Sequence, residues 1–236
     1  MKFYTQDDVV RWEAANSRAI ALREGFLANP PARLDIDTQY ALLGQAYSAM
    51  GLTAIAQSKY QVAFSYFAKS TASTLHRIER MSAHSGTGLE AGHFQSLLLS
   101  LVTKDEYLIS ELAHRYLLVE GPSDSIYLGR VVKALALRDN VTAQLALSVS
   151  PPRIDSQFRG FVEVLKSIAH SNNSSFTTAM NAATIHWATW TSKKAVGLPE
   201  SVYFILGVGL VRLAERVFNS SLDFSTEHVP ATLLDL

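Results

Sequence analysis

Helical apolar stretches broken by short polar interruptions set the pattern of this chain. Thr103-Lys104-Asp105, Arg138-Asp139-Asn140 and Ser171-Asn172-Asn173 each end a run of helical period, and they recur at about the 34-residue spacing of stacked helical hairpins. The pattern predicts an all-α protein of stacked antiparallel hairpins, about nine or ten helices in a single domain over residues 1–236.

Thr5 followed by Asp8 reads as a capping box, and Trp12, Ala15, Ala19, Leu22 and Phe26 share one stripe of a first helix that Pro30-Pro31 closes near Asn29. A second helix is expected from Asp37 to Met50, a turn at Gly51, and a long third helix from Thr53 toward Ala83. The glycine-rich stretch 84–92 lacks an apolar period and marks a possible subdivision. Beyond it come a helix with Phe94, Leu97, Leu98 and Leu101, and a second capping box formed by Thr103 and Glu106. Further helices carry Tyr127 to Leu135, start at Asp139-Asn140, run from Phe158 to Ile168, and carry Phe176, Met180, Ala183, Trp187 and Trp190. Pro199 is placed in the first turn of a last long helix that is apolar on several faces and therefore central. Val229, Leu233 and Leu234 are expected to pack the tail.

Charge and composition narrow the function. Lys+Arg and Asp+Glu both number 21, so the whole-chain field that drives non-specific nucleic-acid binding is missing. Cysteine is absent, which removes disulfides, thiolate metal sites and cysteine nucleophiles. The opening Met1-Lys2-Phe3-Tyr4 has no apolar leader segment, and the longest apolar run, Val202 to Val211, is far short of the roughly 20 residues of a membrane span. A cytoplasmic protein with no membrane partner is expected.

No catalytic constellation stands out, and neither a metal nor a cofactor is expected. The histidines at 76, 84, 93, 114, 170, 186 and 228 include no i, i+4 pair of the kind that nucleates a helical metal site. Arg77 and His84 loosely match the Arg-x(4 to 6)-His motif of helical HEPN ribonucleases, but Ile78 stands where a polar residue usually follows the arginine. The plainer reading is cationic side chains near a helix C-terminus. Trp187 and Trp190 share the phase of the core positions before them, and Gly207-Val208-Gly209 lies inside a helical period, where close helix packing accounts for it.

Two resemblances add to this reading. Tyr40, Leu43, Gly44 and Tyr47, then Ala56, Tyr60 and Ala63, resemble a tetratricopeptide hairpin, with Ala68 at the place of its closing proline. That resemblance puts Thr38, Ala41, Gln45 and Ser48 on the ligand-facing side of the first helix, a set without charge. The C-terminal half is similar to the Imm49-type immunity proteins of bacterial polymorphic toxin systems. The likeness rests on the ordered series Ala134-Leu135-Ala136-Leu137-Arg138-Asp139, Ile168 followed by a polar turn and Phe176, His186-Trp187, Gly207-Val208-Gly209-Leu210 with Leu213-Ala214, and Val229-Pro230 before Leu233-Leu234. It implies a protein with no reaction of its own that binds a cognate toxin or effector and neutralises it by occlusion. A helical-repeat adaptor is the alternative, and the ribonuclease a remote one. Acidic and histidine residues beside loops, His84, Glu90, His93, Glu120, Asp124 and Glu227, are the candidate contacts for a basic partner surface.

Overall fold

The computed structural model describes residues 3–83, 93–115 and 123–235, with the side chains of residues 81–83 and 93 outside that description. The described residues form eleven helices: α1 (Gln6–Ala28), α2 (Ile36–Ala56), α3 (Tyr60–Ala83), α4 (His93–Thr103), α5 (Glu106–Arg115), α6 (Asp124–Ala136), α7 (Asn140–Ser148), α8 (Phe161–Ala169), α9 (Asn173–Lys194), α10 (Ile205–Phe218) and α11 (Ala231–Leu234). Short 3₁₀ turns occupy Ser156–Phe158 and Pro199–Ser201, and among the described residues the one extended feature is an isolated bridge between Thr226 and Val229. The all-α expectation holds.

The polar interruptions are the turns of the hairpins. Ser58, Lys104, Arg138 and Ser171 each adopt a left-handed backbone, with φ of 60°, 56°, 59° and 52°. Each of these residues donates its N–H back to the ending helix, and at all but Lys104 the residue after it does so too. Arg138 N reaches Leu135 O at 2.9 Å and Asp139 N reaches Ala134 O at 2.8 Å, and the same pair recurs at Ser58-Lys59 and Ser171-Asn172. Asp105, Asp139 and Asn172 then cap the next helix by accepting from Leu108 N, Thr142 N and Ser175 N. One three-residue unit thus ends one helix and starts its antiparallel neighbour. In this arrangement Thr103 is the last residue of α4, and Asp105 replaces it as the cap of α5.

Other expectations need correction. Gly51 does not turn the chain. It lies within α2 because the Phe67 ring presses on it, so that a Cβ there would stand 2.5 Å from Phe67 Cε1. The turn comes at residues 57–59, Ala56 ends the first arm instead of joining the second, and the arms are 21 and 24 residues long. The tetratricopeptide-like positions Tyr60 and Ala63 fall in the second arm, and Ala56 is the one displaced from it. In α1 the buried side is Val9 and Trp12, with Asn16, Ala19, Ile20, Arg23 and Phe26 half-buried below them, whereas Ala15 and Leu22 are exposed. The shift follows a polar contact, since Arg23 Nη1 donates to Gln39 Oε1 at 2.7 Å across the α1–α2 seam. Phe158 belongs to a 3₁₀ turn ahead of α8, with Gly160 at φ 96° between them, and Pro199 opens a 3₁₀ turn ahead of α10.

The hairpins α2–α3, α4–α5, α6–α7 and α8–α9 follow one another, and α10 packs across α4, α6 and α8, the first helices of the last three. Val208, Leu210, Val211, Leu213 and Ala214 of α10 are fully buried. Its approach to α4 is a backbone contact: a Cβ on Gly209 would stand 2.5 Å from Leu98 O. Arg216 ties the end of α10 to two turns, through Nε to Ala136 O at 2.9 Å and Nη1 to Glu106 at 2.7 Å. One buried hydrophobic cluster runs from Val9 to Leu234.

Two substitutions test these contacts by equilibrium denaturation. Arg138→Gly relieves a left-handed side-chain-bearing residue whose conformation costs about 1 kcal/mol, so the variant is expected to gain stability of that order. Gly209→Ala forces α10 off the Leu98 carbonyl and is expected to lose about 1–3 kcal/mol. An unchanged midpoint in either variant contradicts the contact it probes.

Candidate functional site

A cavity of about 560 Å³ opens where the inner face of the stack continues past the start of α10. Three walls come from the N-terminal helices: Ala41, Gly44, Gln45 and Ser48 of α2, then Ser70, Thr74 and Arg77 of α3, then Gln95, Ser96 and Leu99 of α4. Each set has helical spacing and so forms a stripe on its own helix. Facing them are Trp187, Trp190 and Lys194 of α9, together with Leu198, Glu200 and Tyr203 to Leu206 of the connection into α10.

Trp187 is almost fully buried and stacks on Phe204 with ring centres 5.6 Å apart, closing the floor. Trp190 in the next turn is half-buried and faces the cavity. Sequence phase is thus right for Trp187 as core, and places Trp190 only at its edge. Ser70 Oγ donates to Gly44 O at 2.7 Å, and the Thr74 and Ser96 hydroxyls pair at 2.9 Å, so these polar groups are spent within the fold. Arg77 is different: its Nε is buried and has no partner among the described residues.

Three of the expected ligand-facing positions, Ala41, Gln45 and Ser48, do line the cavity. That set is uncharged, as the sequence indicates, but the cavity is not, because Arg77, Lys194 and Glu200 enter from other elements. No signal in the first hairpin arm announces them. His84, the other half of the ribonuclease motif, lies outside the described residues, as do Glu90 and Glu120. His93 opens α4, with its side chain outside the description.

Of the remaining candidate contacts, Asp124 is drawn into the fold instead of facing outward. It is half-buried and accepts from Asp155 N at 2.9 Å and Ser125 N at 2.7 Å, which pins the start of α6 to the connector before α8. Glu227 is exposed in the tight turn between Thr226 and Val229. These two side chains serve separate junctions. Among the described residues, no group of three His, Asp or Glu residues is placed to hold a metal ion, and no helix is long and apolar enough to cross a membrane.

A second surface lies on the outer side of α7. Val141 and Leu145, 69% and 64% exposed, fall at i and i+4, while Ala143 and Leu147 on the opposite side are buried, and Val149, the extended residue that ends the helix, is 63% exposed. The helix, Asn-Val-Thr-Ala-Gln-Leu-Ala-Leu-Ser, carries no charge. Leu137, the last residue before the turn into α7, is 36% exposed, and Arg138 and Asp139 of that turn are exposed polar residues. Other exposed apolar residues such as Tyr107 and Ile185 stand singly on their helices, which is ordinary for a protein surface. The sequence does carry the apolar periods of α7, but period alone does not say which of its two sides is covered.

Fold and surfaces together define a class: a stack of helical hairpins with a self-filled inner face, a residual polar-aromatic cavity and one bare apolar helix side. Comparison with protein-family models, with curated proteins and with solved structures finds no match.

Behind the cavity floor, the His228 ring lies 5.0 Å from Trp187 and 6.1 Å from Phe3, and its backbone carbonyl accepts from Phe204 N at 2.9 Å. Burial lowers the imidazole pKa below its ordinary 6.5, so the folded state favours the neutral ring. The stability this contributes is complete above the unfolded value of 6.5 and is lost as pH falls through it toward the folded value. The melting temperature is expected to drop between about pH 7 and pH 5, and His228→Phe to flatten that part of the curve. An identical pH slope in the variant contradicts the assignment.

Proposed function

We propose that this chain is a non-enzymatic binding protein that grips a protein partner through the outer side of α7, and that the partner is a bacterial toxin or effector which it neutralises by occlusion. The observation that carries the binding reading is Val141 and Leu145 on a helix without charge, followed by Val149 at its C-terminal cap, each more than 60% exposed. Contiguous exposed aliphatic residues with a polar rim are the anatomy of a protein interface, where a few apolar anchors supply most of the affinity. The toxin follows from the resemblance of the C-terminal half to Imm49-type immunity proteins, and α7 lies within that half. A specific interface buries about 1,600 Å² in total, more than a nine-residue helix offers, so neighbouring hairpin edges would join it.

The test is co-expression with the gene adjacent to this one, scoring rescue of growth and co-purification. Wild-type protein is expected to give both. Leu145→Glu and Val141→Glu place a charge at the centre of the interface, and each is expected to weaken partner binding at least about tenfold, the scale of a lost anchor. Because both positions face solvent, stability should stay within about 0.5 kcal/mol of wild type. Co-purification without growth rescue supports an adaptor over an immunity protein. Full retention of the partner by both variants removes α7 as the interface.

A further inference from the structure

The cavity beside the start of α10 has a composition that the α7 reading does not use. Its volume, about 560 Å³, falls within the range of small-molecule sites, and its floor of Trp187, Phe204 and Ile205 is buried apolar surface. Trp190 and Tyr203 add half-buried aromatic walls. Such a site removes the body of an apolar ligand from water while a small number of polar groups fix its orientation.

The polar groups have a definite bias. Gln45, Gln95, Gln157 and Lys194 line the cavity, and their side chains make no hydrogen bond to the chain among the described residues. Arg77 is the strongest donor of the set and also the least satisfied, with its Nε buried and unpartnered. The neighbouring carboxylates are already engaged. Asp35 accepts from Thr38 Oγ1 and from the Asp37 and Thr38 backbone as the cap of α2 and reaches Arg77 only through space, and Asp37 pairs with Arg80 at 3.2 Å. Two cations, Arg77 and Lys194, face the cavity against the single carboxylate of the exposed Glu200. A guanidinium presents N–H donors in a planar fork that matches a carboxylate.

We infer that this cavity is a binding site for a small organic carboxylate with an apolar body, the acid group received by Arg77 with Lys194 and the body laid against Trp187, Trp190 and Tyr203. The inference does not rest on the protein-partner reading, and the two sites lie on different helices. Arg77 lines the cavity with a buried Nε that has no hydrogen-bond partner among the described residues, and a carboxylate arriving from outside supplies an acceptor for it beside the through-space attraction of Asp35.

The test uses the full chain and three probes of one shape: 4-phenylbutyrate, its neutral amide and the corresponding amine, 4-phenylbutylamine, titrated by calorimetry at low salt. The acid is expected to bind saturably at one site, and the amide and amine at least about tenfold more weakly. Arg77→Gln is expected to erase the preference for acid over amide. Ser48→Trp, which fills the cavity from α2 with every charge retained, is expected to abolish binding of all three. Equal binding of acid and amide, no binding of the acid up to about 10 mM, or wild-type binding by Ser48→Trp overturns the inference. Should Arg77→Gln fail to fold, Lys194→Gln at an exposed position takes its place and is expected to weaken the acid alone. None of these outcomes bears on partner retention by α7.

Discussion

A stack of helical hairpins buries the contacts between successive hairpins but leaves the apolar sides of its first helices open to water, and the rest of this structure depends on how that surface is covered. Here α10 lies across α4, α6 and α8 with Ile205, Gly207 to Val211, Leu213 and Ala214 buried. A helix can approach three others this closely only where side chains give way to backbone, and Gly209 against Leu98 O is that place. The several apolar faces of α10 follow directly from neighbours on several sides, and its charged residues gather toward its end, where Arg212 pairs with Glu215 and Arg216 reaches Ala136 O and Glu106. α10 begins at Ile205, and beyond it the inner face of α2, α3 and α4 is lined instead by α9 and the connection from Leu198. The cavity is the space that this change of cover leaves.

Much of the fold is legible in the sequence because its punctuation is local chemistry. A polar triplet such as Arg138-Asp139-Asn140 holds a left-handed residue, a cap and a helix start in consecutive positions, and each role is set by the residue's own backbone and side-chain preferences. Where the reading fails, a distant contact overrides the local preference. Gly51 carries the signal of a turn, yet Phe67 sixteen positions later needs its missing Cβ, and the helix continues through it. The α1 stripe is displaced because Arg23 finds Gln39 across the seam, which no period in α1 reveals. Pro199 does start a helical turn, but a 3₁₀ one, and the chain must still swing Phe204 onto Trp187 before α10 begins.

The candidate sites divide in the same way. Ala41, Gln45 and Ser48 are found from spacing because all three sit on one helix with a recognisable aromatic and glycine pattern. Arg77, Lys194 and Glu200 reach the cavity from three other segments, and nothing in the sequence around any one of them points to the others. Asp124 shows the reverse situation. An acidic residue after a turn looks available, but the backbone N–H of Asp155 claims it once the chain folds back. Legibility thus follows the range of the interaction: caps, turns and stripes are written within a few residues, while convergence of side chains on one volume is not.

The two surfaces also bear on solubility in a consistent way. Formal charge is zero, so the chain lacks the mutual repulsion that keeps small proteins apart. Exposing Val141 and Leu145 on a helix without charge, with Val149 at its end, adds an attractive patch to a molecule whose net charge does not oppose association. A single Lys or Glu at position 145 would relieve this without any cost to the core, since the side chain at that position faces water and Ala143 and Leu147 already anchor the helix from the other side. An apolar residue kept at a place where a polar one would fold equally well contributes nothing to folding. A surface that covered it would gain the burial of that apolar area, and this is the physical ground on which the proposed docking at α7 rests.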